Sequence, residues 1–146
     1  AHRARALGRN AQDHRLSMDN LIDGRSIAEQ IHSETAARVA ALKSRGHQAG
    51  LVFVRVGEDP ASKVYVGMKE RTSARLGIRS ETIVLPDATA EAELLRLIEK
   101  LNHDRDVHGI LVQAPLPAHI NSTTVFSTVS PAAAFFATAY SSTGVT

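Results

Sequence analysis

The chain has 146 residues, with 17 Lys and Arg against 15 Asp and Glu and no cysteine. This length suits one domain with a sizeable core, and the near balance of charges does not favour nucleic acid as a partner. The lack of cysteine excludes disulfides, thiolate nucleophiles and cysteine-ligated metals, and no run of about 20 apolar residues suggests a membrane span, so we expect a soluble, cytoplasmic protein.

Residues 1–17 are rich in Arg, poor in acidic residues and without apolar periodicity. Such composition is also found in organellar transit peptides, but this segment has few hydroxyl side chains and a weak apolar face. We therefore interpret it as a disordered or non-native extension. The patterned region begins at Met18.

A helix is predicted over residues 26–45. Ser26 and Glu29 have the spacing of a capping box, and Gly46 is a plausible stop. The residues at helical intervals between them are Ile27, Ile31, Thr35, Val39 and Leu42.

Three short apolar runs, at residues 51–56, 81–85 and 107–112, predict strands, and the first is expected to be buried on both faces. A helix over residues 60–77 is predicted between the first two strands, with a proline in its first turn and a glycine at its end. A further helix, capped by Thr89, is predicted before the last strand. Its inner stripe consists of Leu94, Ile98 and Leu101.

This alternation of helices and strands calls for right-handed crossovers and a parallel sheet. We expect an open, three-layer α/β domain with mainly parallel strands and flanking helices. Ligands bind beyond the carboxyl ends of the strands in such sheets. The segments 57–69 and 113–117 both follow strand ends, so their polar residues are expected to meet in one cleft.

The segment after the first strand places three polar side chains on one helix face. At about 100° per residue, Ser62, Tyr65 and Lys69 fall within an arc of about 60°. A lysine with its pKa lowered by burial can take and return a proton, Gln113 can form a hydrogen bond to it, and a tyrosine ring can stack on an aromatic substrate. The alternative reading is a solvated helix lysine, an amphipathic tyrosine and a strand-end glutamine.

Other site types have weaker support. His103 and His108 lack the paired carboxylates or helical spacing of a metal site, so no metal is assigned. The turn at residues 57–60 lacks the glycine density that wraps a phosphate. Ser62 has no neighbouring His and Asp in a nucleophile-elbow pattern.

The stretch from about Leu21 to Pro131 resembles the folate-binding domain of the bifunctional methylenetetrahydrofolate dehydrogenase/methenyltetrahydrofolate cyclohydrolase family. Two long motifs support the resemblance at the right separation. They are Val56-Gly57-Glu58-Asp59-Pro60-Ala61-Ser62 with Tyr65-Val66-x-x-Lys69 and Leu76-Gly77-Ile78, and Gly109-Ile110-Leu111-Val112-Gln113-x-Pro115-Leu116-Pro117.

The resemblance implies that Lys69 is catalytic and that Gln113 tunes it. It also implies that Tyr65 stacks against the folate, that Ser62 supports the site and that Pro115 and Leu116 contact the substrate. The implied reactions are oxidation of methylenetetrahydrofolate with NADP and hydrolysis of the methenyl product to 10-formyltetrahydrofolate. A place in one-carbon metabolism and purine biosynthesis, and a homodimeric assembly, follow from the same resemblance.

The chain departs from the family after Pro131. The family continues with a charged segment containing an aspartate of the folate pocket, and then with a Rossmann domain. Here residues 132–146 form an apolar tail that we interpret as aberrant, so residues 18–131 are expected to be the catalytic domain and the NADP site to be absent. The alternatives are a non-catalytic folate-binding module or inert fragment and, with less support, a lysine Schiff-base enzyme on an unrelated scaffold.

Overall fold

The computed structural model describes residues 22–130, so the predictions made for residues 1–17 and 132–146 lie outside the described residues. Helices and strands alternate along the chain in the described part. The elements are α1 (Gly24–Ser44), β1 (Gly50–Val56), α2 (Pro60–Arg75), β2 (Arg79–Leu85), α3 (Glu91–Asn102), β3 (Gly109–Val112) and α4 (Ser122–Thr128). None of the described helices is long and apolar enough to cross a membrane.

The three strands form one parallel sheet in the order β2-β1-β3. Val54 on the central strand is in register with Ile83 of β2 and Val112 of β3. The predicted open α/β architecture is confirmed, because each crossover contains a helix that covers a sheet face. The carboxyl ends of β1 and β3 lie side by side, which brings the segments after them together.

The main core lies between the sheet and helices α3 and α4. The valines at alternate positions of β1 point to this side, and α4 packs against α3. The stripe predicted for α3 is confirmed as part of this core. The buried residues of the whole core are Val52, Val54, Val56, Leu94, Ile98, Leu101, Ile110, Val112, Ile120, Val125 and Val129.

Helix α1 is less buried than its apolar periodicity suggests. Val39 is buried, whereas Ile27 and Ile31 are 49% and 55% exposed. The helix approaches the rest of the domain near Gly77, where an added Cβ atom would lie 3.5 Å from Val39 Cγ1. The helical prediction is therefore correct within two residues at each end, while most of its apolar face lacks cover among the described residues.

Two of the predicted helix caps are wrong. Asp23, not Ser26, caps α1, because its carboxylate accepts hydrogen bonds from the backbone N–H groups of Arg25 and Ser26 at 3.1 Å. Thr89 does not cap α3, whose N-cap position is Ala90 without a side-chain bond. Thr89 is instead buried just before the helix.

Helix α4 and the precise strand limits were not predicted. Asn121 caps α4 by accepting a hydrogen bond from Thr124 N at 3.1 Å. Strand β2 begins two residues before the predicted range and β3 begins two residues after it. These differences leave the strand ends that face the site unchanged.

Candidate active site

Lys69 and Gln113 meet at the carboxyl edge of the sheet. Lys69 lies on the third turn of α2, and Gln113 directly follows β3. Lys69 Nζ donates a hydrogen bond to Gln113 Oε1 at 2.8 Å. The two motifs singled out in the sequence therefore converge on one contact.

The local backbone fixes the Gln113 side chain in one orientation. Its N–H donates to the Val54 carbonyl at 2.8 Å, which continues the pairing of β3 with β1. Its side-chain Nε2 donates to the Ala114 carbonyl at 2.6 Å. Because the amide nitrogen is held this way, Oε1 faces the lysine, and the residue is only 4% exposed.

The surroundings of Lys69 favour its neutral form more than water does. Burial lowers the pKa of the Lys69 ammonium, because removing the charge from solvent disfavours the cation. Lys69 Nζ lies 6.0 Å from the centroid of the Tyr65 ring, at the outer limit of a cation–π contact, so this ring stabilises the cation only weakly and does not offset the burial. The lysine can therefore exchange a proton more easily than a solvated lysine.

An apolar cavity of about 430 Å³ opens beside Tyr65 and Lys69. Tyr65 and Lys69 line it, and other residues of β1, α2 and β3 supply the remaining wall. Tyr65 is 56% exposed, so its ring is accessible to a flat molecule. This combination of an apolar wall with a few polar groups is typical of small-molecule sites.

Ser62 lies at the start of α2 and is only 2% exposed. Its backbone N–H donates to Asp59 Oδ2 at 2.7 Å, and its hydroxyl also interacts with that carboxylate. These hydrogen bonds lower the pKa of Asp59. Ser62 therefore shares a helix face with Tyr65 and Lys69, but its polar groups are engaged in the N-cap.

Pro115 and Leu116 lie in the loop that follows Gln113. The Ala114–Pro115 peptide bond is cis, and Pro115 is exposed. Leu116 is partly buried and packs against the main core. The loop thus contains one residue that packs on the core and one that is exposed to solvent.

The two histidines considered for metal binding have structural partners. His108 Nδ1 lies 3.2 Å from Gly50 N, and His103 Nδ1 lies 2.7 Å from the Glu99 carbonyl. Within residues 22–130 no group of three potential metal ligands is present.

Two residues near the site escaped sequence reasoning. Asp59 caps α2, and the Asp-Pro pair at a strand-to-helix turn was an available signal for that role. Arg55 is 7% exposed although it is charged. Its position inside a run of β-branched residues was the only hint of burial.

Comparisons with known proteins agree with the geometry. The family described as "Tetrahydrofolate dehydrogenase/cyclohydrolase, catalytic domain" matches residues 22–133. "Bifunctional protein FolD" from Geotalea daltonii is 54% identical over 114 residues, which are 78% of this chain and 41% of the relative. The homologue from Anaeromyxobacter dehalogenans is 51% identical over 113 residues, or 77% of this chain and 40% of the relative.

Solved structures show the same likeness. The bifunctional FolD enzyme from Campylobacter jejuni has a TM-score of 0.74 and 38% identity, covering 75% of this chain and 39% of that one. The FolD enzyme from Trypanosoma brucei, solved with NADP cofactor and an inhibitor, has a TM-score of 0.71 and 34% identity, covering 76% of this chain and 38% of that one. This chain therefore spans about two fifths of the length of these proteins.

Proposed function

Since this chain belongs to the tetrahydrofolate dehydrogenase/cyclohydrolase family, we propose that residues 18–131 form the folate-binding catalytic domain of a bifunctional enzyme. The proposed reactions are oxidation of 5,10-methylenetetrahydrofolate and hydrolysis of 5,10-methenyltetrahydrofolate to 10-formyltetrahydrofolate. The hydrogen bond between Lys69 and Gln113 is the observation that supports this proposal most directly. It holds a lysine with a lowered pKa at the sheet edge where ligands bind.

The hydrolytic step needs a group that moves protons. Water attacks the methenyl carbon and loses one proton, which leaves a hydroxyl on that carbon. The hydroxyl then loses its proton to become the formyl oxygen as the bond from the carbon to N5 breaks and N5 gains a proton, so one proton is released overall. Lys69 is suited to accept and return these protons, because its amine is partly desolvated and its pKa is lower than that of a surface lysine. Gln113 supplies a fixed carbonyl oxygen that keeps the amine directed toward the cleft.

Substrate binding is assigned to the exposed ring and loop. Tyr65 offers a flat apolar face for the aromatic part of a folate. Pro115 and Leu116, in the loop that follows Gln113, are proposed to contact the substrate. Ser62 has a supporting role, because it secures the first turn of the helix that presents Tyr65 and Lys69. No metal is required for these roles.

NADP is the oxidant of the proposed first reaction, and the Trypanosoma brucei relative was solved in complex with that cofactor. The strand-to-helix turn before α2 does not fit its phosphates. The turn before α2 carries the carboxylates of Glu58 and Asp59, and the Asp59 side chain already accepts the available Ser62 N–H. We propose that the dinucleotide site lies outside residues 22–130.

The wider setting follows from the family. We propose a cytoplasmic enzyme of one-carbon metabolism that contributes to purine biosynthesis and forms a homodimer when full length. A folate is the proposed small-molecule partner, with no role for nucleic acid or a membrane.

The test is hydrolysis of 5,10-methenyltetrahydrofolate by this chain, followed through loss of its absorbance. We expect turnover above the uncatalysed rate and a decrease of roughly 100-fold or more in Lys69→Met. Lys100→Met, on the exposed end of α3, is the matched control and should retain activity. Equal turnover in wild type and Lys69→Met would remove the lysine from the mechanism.

The second candidate is a non-catalytic folate-binding module or inert fragment, since the chain spans only about 41% of a relative such as the Geotalea daltonii protein. Calorimetry distinguishes these outcomes. Folate binding without turnover indicates a binding module, and neither binding nor turnover indicates an inert fragment.

A further inference from the structure

Arg55 is a buried cation on the central strand of the sheet. It follows Val54 on β1 and is 7% exposed. A buried guanidinium is costly unless its N–H groups find partners. Its contacts therefore indicate what it does in the fold.

Those contacts join the strand to the helix that bears Lys69. Arg55 Nη1 donates to the Gly57 carbonyl, and Nη2 lies 3.7 Å from Glu58 Oε1. The Glu58 carboxylate also pairs with Lys63 on the first turn of α2. Arg55 thus reaches α2 through a turn whose first residue, Gly57, has φ +80°.

The orientation of α2 decides whether the site forms. Asp59 and Lys69 are ten residues apart on the helix, a separation of about 15 Å at 1.5 Å per residue. A tilt of about 5° at the turn therefore displaces Lys69 by roughly 1 Å. Such a displacement takes the 2.8 Å bond to Gln113 outside the usual range of about 2.7–3.2 Å unless the Lys69 side chain changes its rotamer.

The geometry points to Arg55 as a positioning residue that, together with Glu58, holds α2 where Lys69 Nζ meets Gln113 Oε1. Its relevance to catalysis rests on the proposed function, but the contact itself is measurable without substrate. A loosened helix exposes the amine to water and weakens its burial, so the Lys69 pKa becomes the readout.

The experiment is an NMR titration of the full chain with ¹³C-labelled lysine, with the Lys69 resonance assigned by its loss in Lys69→Met. Arg55→Met and Glu58→Ala are compared with wild type. If both residues position α2, both variants raise the Lys69 pKa by about 0.5 unit or more, because the amine regains hydration.

If Arg55 and Glu58 act on Lys69 only through their charges, the expected shifts of the Lys69 pKa are different. Removing the Arg55 cation raises the pKa of a nearby lysine, whereas removing the Glu58 carboxylate lowers it. A rise in both variants therefore supports positioning, and shifts of opposite sign overturn it. A role in stability alone is indicated if the melting temperature falls while the Lys69 pKa stays unchanged, which also overturns the proposal.

Controls keep the result interpretable. Arg96→Met removes an exposed arginine from α3 and should leave the Lys69 pKa unchanged. The Glu58 side chain is 68% exposed, so Glu58→Ala is expected to fold even if Arg55→Met does not. In that case the sign of the Lys69 pKa shift in Glu58→Ala alone decides between positioning and simple electrostatics. Because no folate is needed for the titration, failure of the proposed function leaves this test valid.

Discussion

Lys69 and Gln113 are 44 residues apart in sequence, yet Lys69 Nζ lies 2.8 Å from Gln113 Oε1. The contact joins the third turn of α2 to the residue that follows β3. Neither element holds the amine alone, because the helix supplies the lysine and the strand end supplies its acceptor. The protonation of Lys69 should therefore respond to changes on either element.

The first prediction concerns the reactivity of Lys69 as a function of pH. Burial lowers the pKa of Lys69, so its reactive neutral amine should appear at lower pH than that of a solvated lysine. Competitive labelling with an amine reagent, read by mass spectrometry, should give Lys69 a lower midpoint than a lysine in a short unstructured peptide. Equal midpoints would show that the amine is hydrated like a surface lysine.

A second prediction concerns Gln113, whose Oε1 accepts the hydrogen bond from Lys69. Gln113→Glu places a carboxylate beside the ammonium and should raise the Lys69 pKa by about one unit or more, because opposite charge favours the cation. Gln113→Leu removes the acceptor while keeping the site dry, so it should lower the same pKa. The lysine NMR titration measures both, and shifts in the same direction would contradict the proposed contact.

Tyr65 allows a third prediction about binding. Tyr65→Phe keeps the ring and should retain folate affinity within about threefold, whereas Tyr65→Ala should weaken it by roughly tenfold through loss of stacking. Val64→Ala, which alters a neighbouring side chain that is 60% exposed, is the control for α2. Calorimetric Kd values for the three variants decide whether the ring or only the helix surface matters.

The sequence permits prediction of the sheet and of the place where the site forms. The apolar strands spaced by helices leave few alternatives to a parallel sheet, and parallel strands bring their carboxyl ends to one edge. The meeting of Lys69 and Gln113 follows from that rule. Their 2.8 Å separation does not, because it depends on the rotation of the Gln113 amide toward the Ala114 carbonyl.

Competition between similar signals explains the wrong cap of α1. Asp23 and Ser26 are both good N-cap residues, and the choice depends on where the chain enters the helix.

The burial of Arg55 depends on its hydrogen bond to the carbonyl of Gly57, two residues later, and the apolar pattern of β1 does not indicate this contact. The exposure of Ile27 and Ile31 likewise depends on which other elements pack against α1, and the apolar periodicity of the helix does not specify those elements.

The last prediction concerns the cap that begins the site helix. Hydrogen bonding to Ser62 N lowers the pKa of Asp59 in the folded state, so its stabilisation is present above the unfolded value near 4 and is lost as pH falls through the folded value. Asp59→Ala should therefore lower the melting temperature by a few degrees at pH 7, with the difference shrinking below about pH 4. Asp59→Asn keeps the cap without titrating, so it should melt near wild type at pH 7 and lack this pH dependence. Calorimetric scans from about pH 2 to pH 7 measure all three proteins, and equal melting temperatures for the Ala and Asn variants at pH 7 would show that the cap does not secure α2.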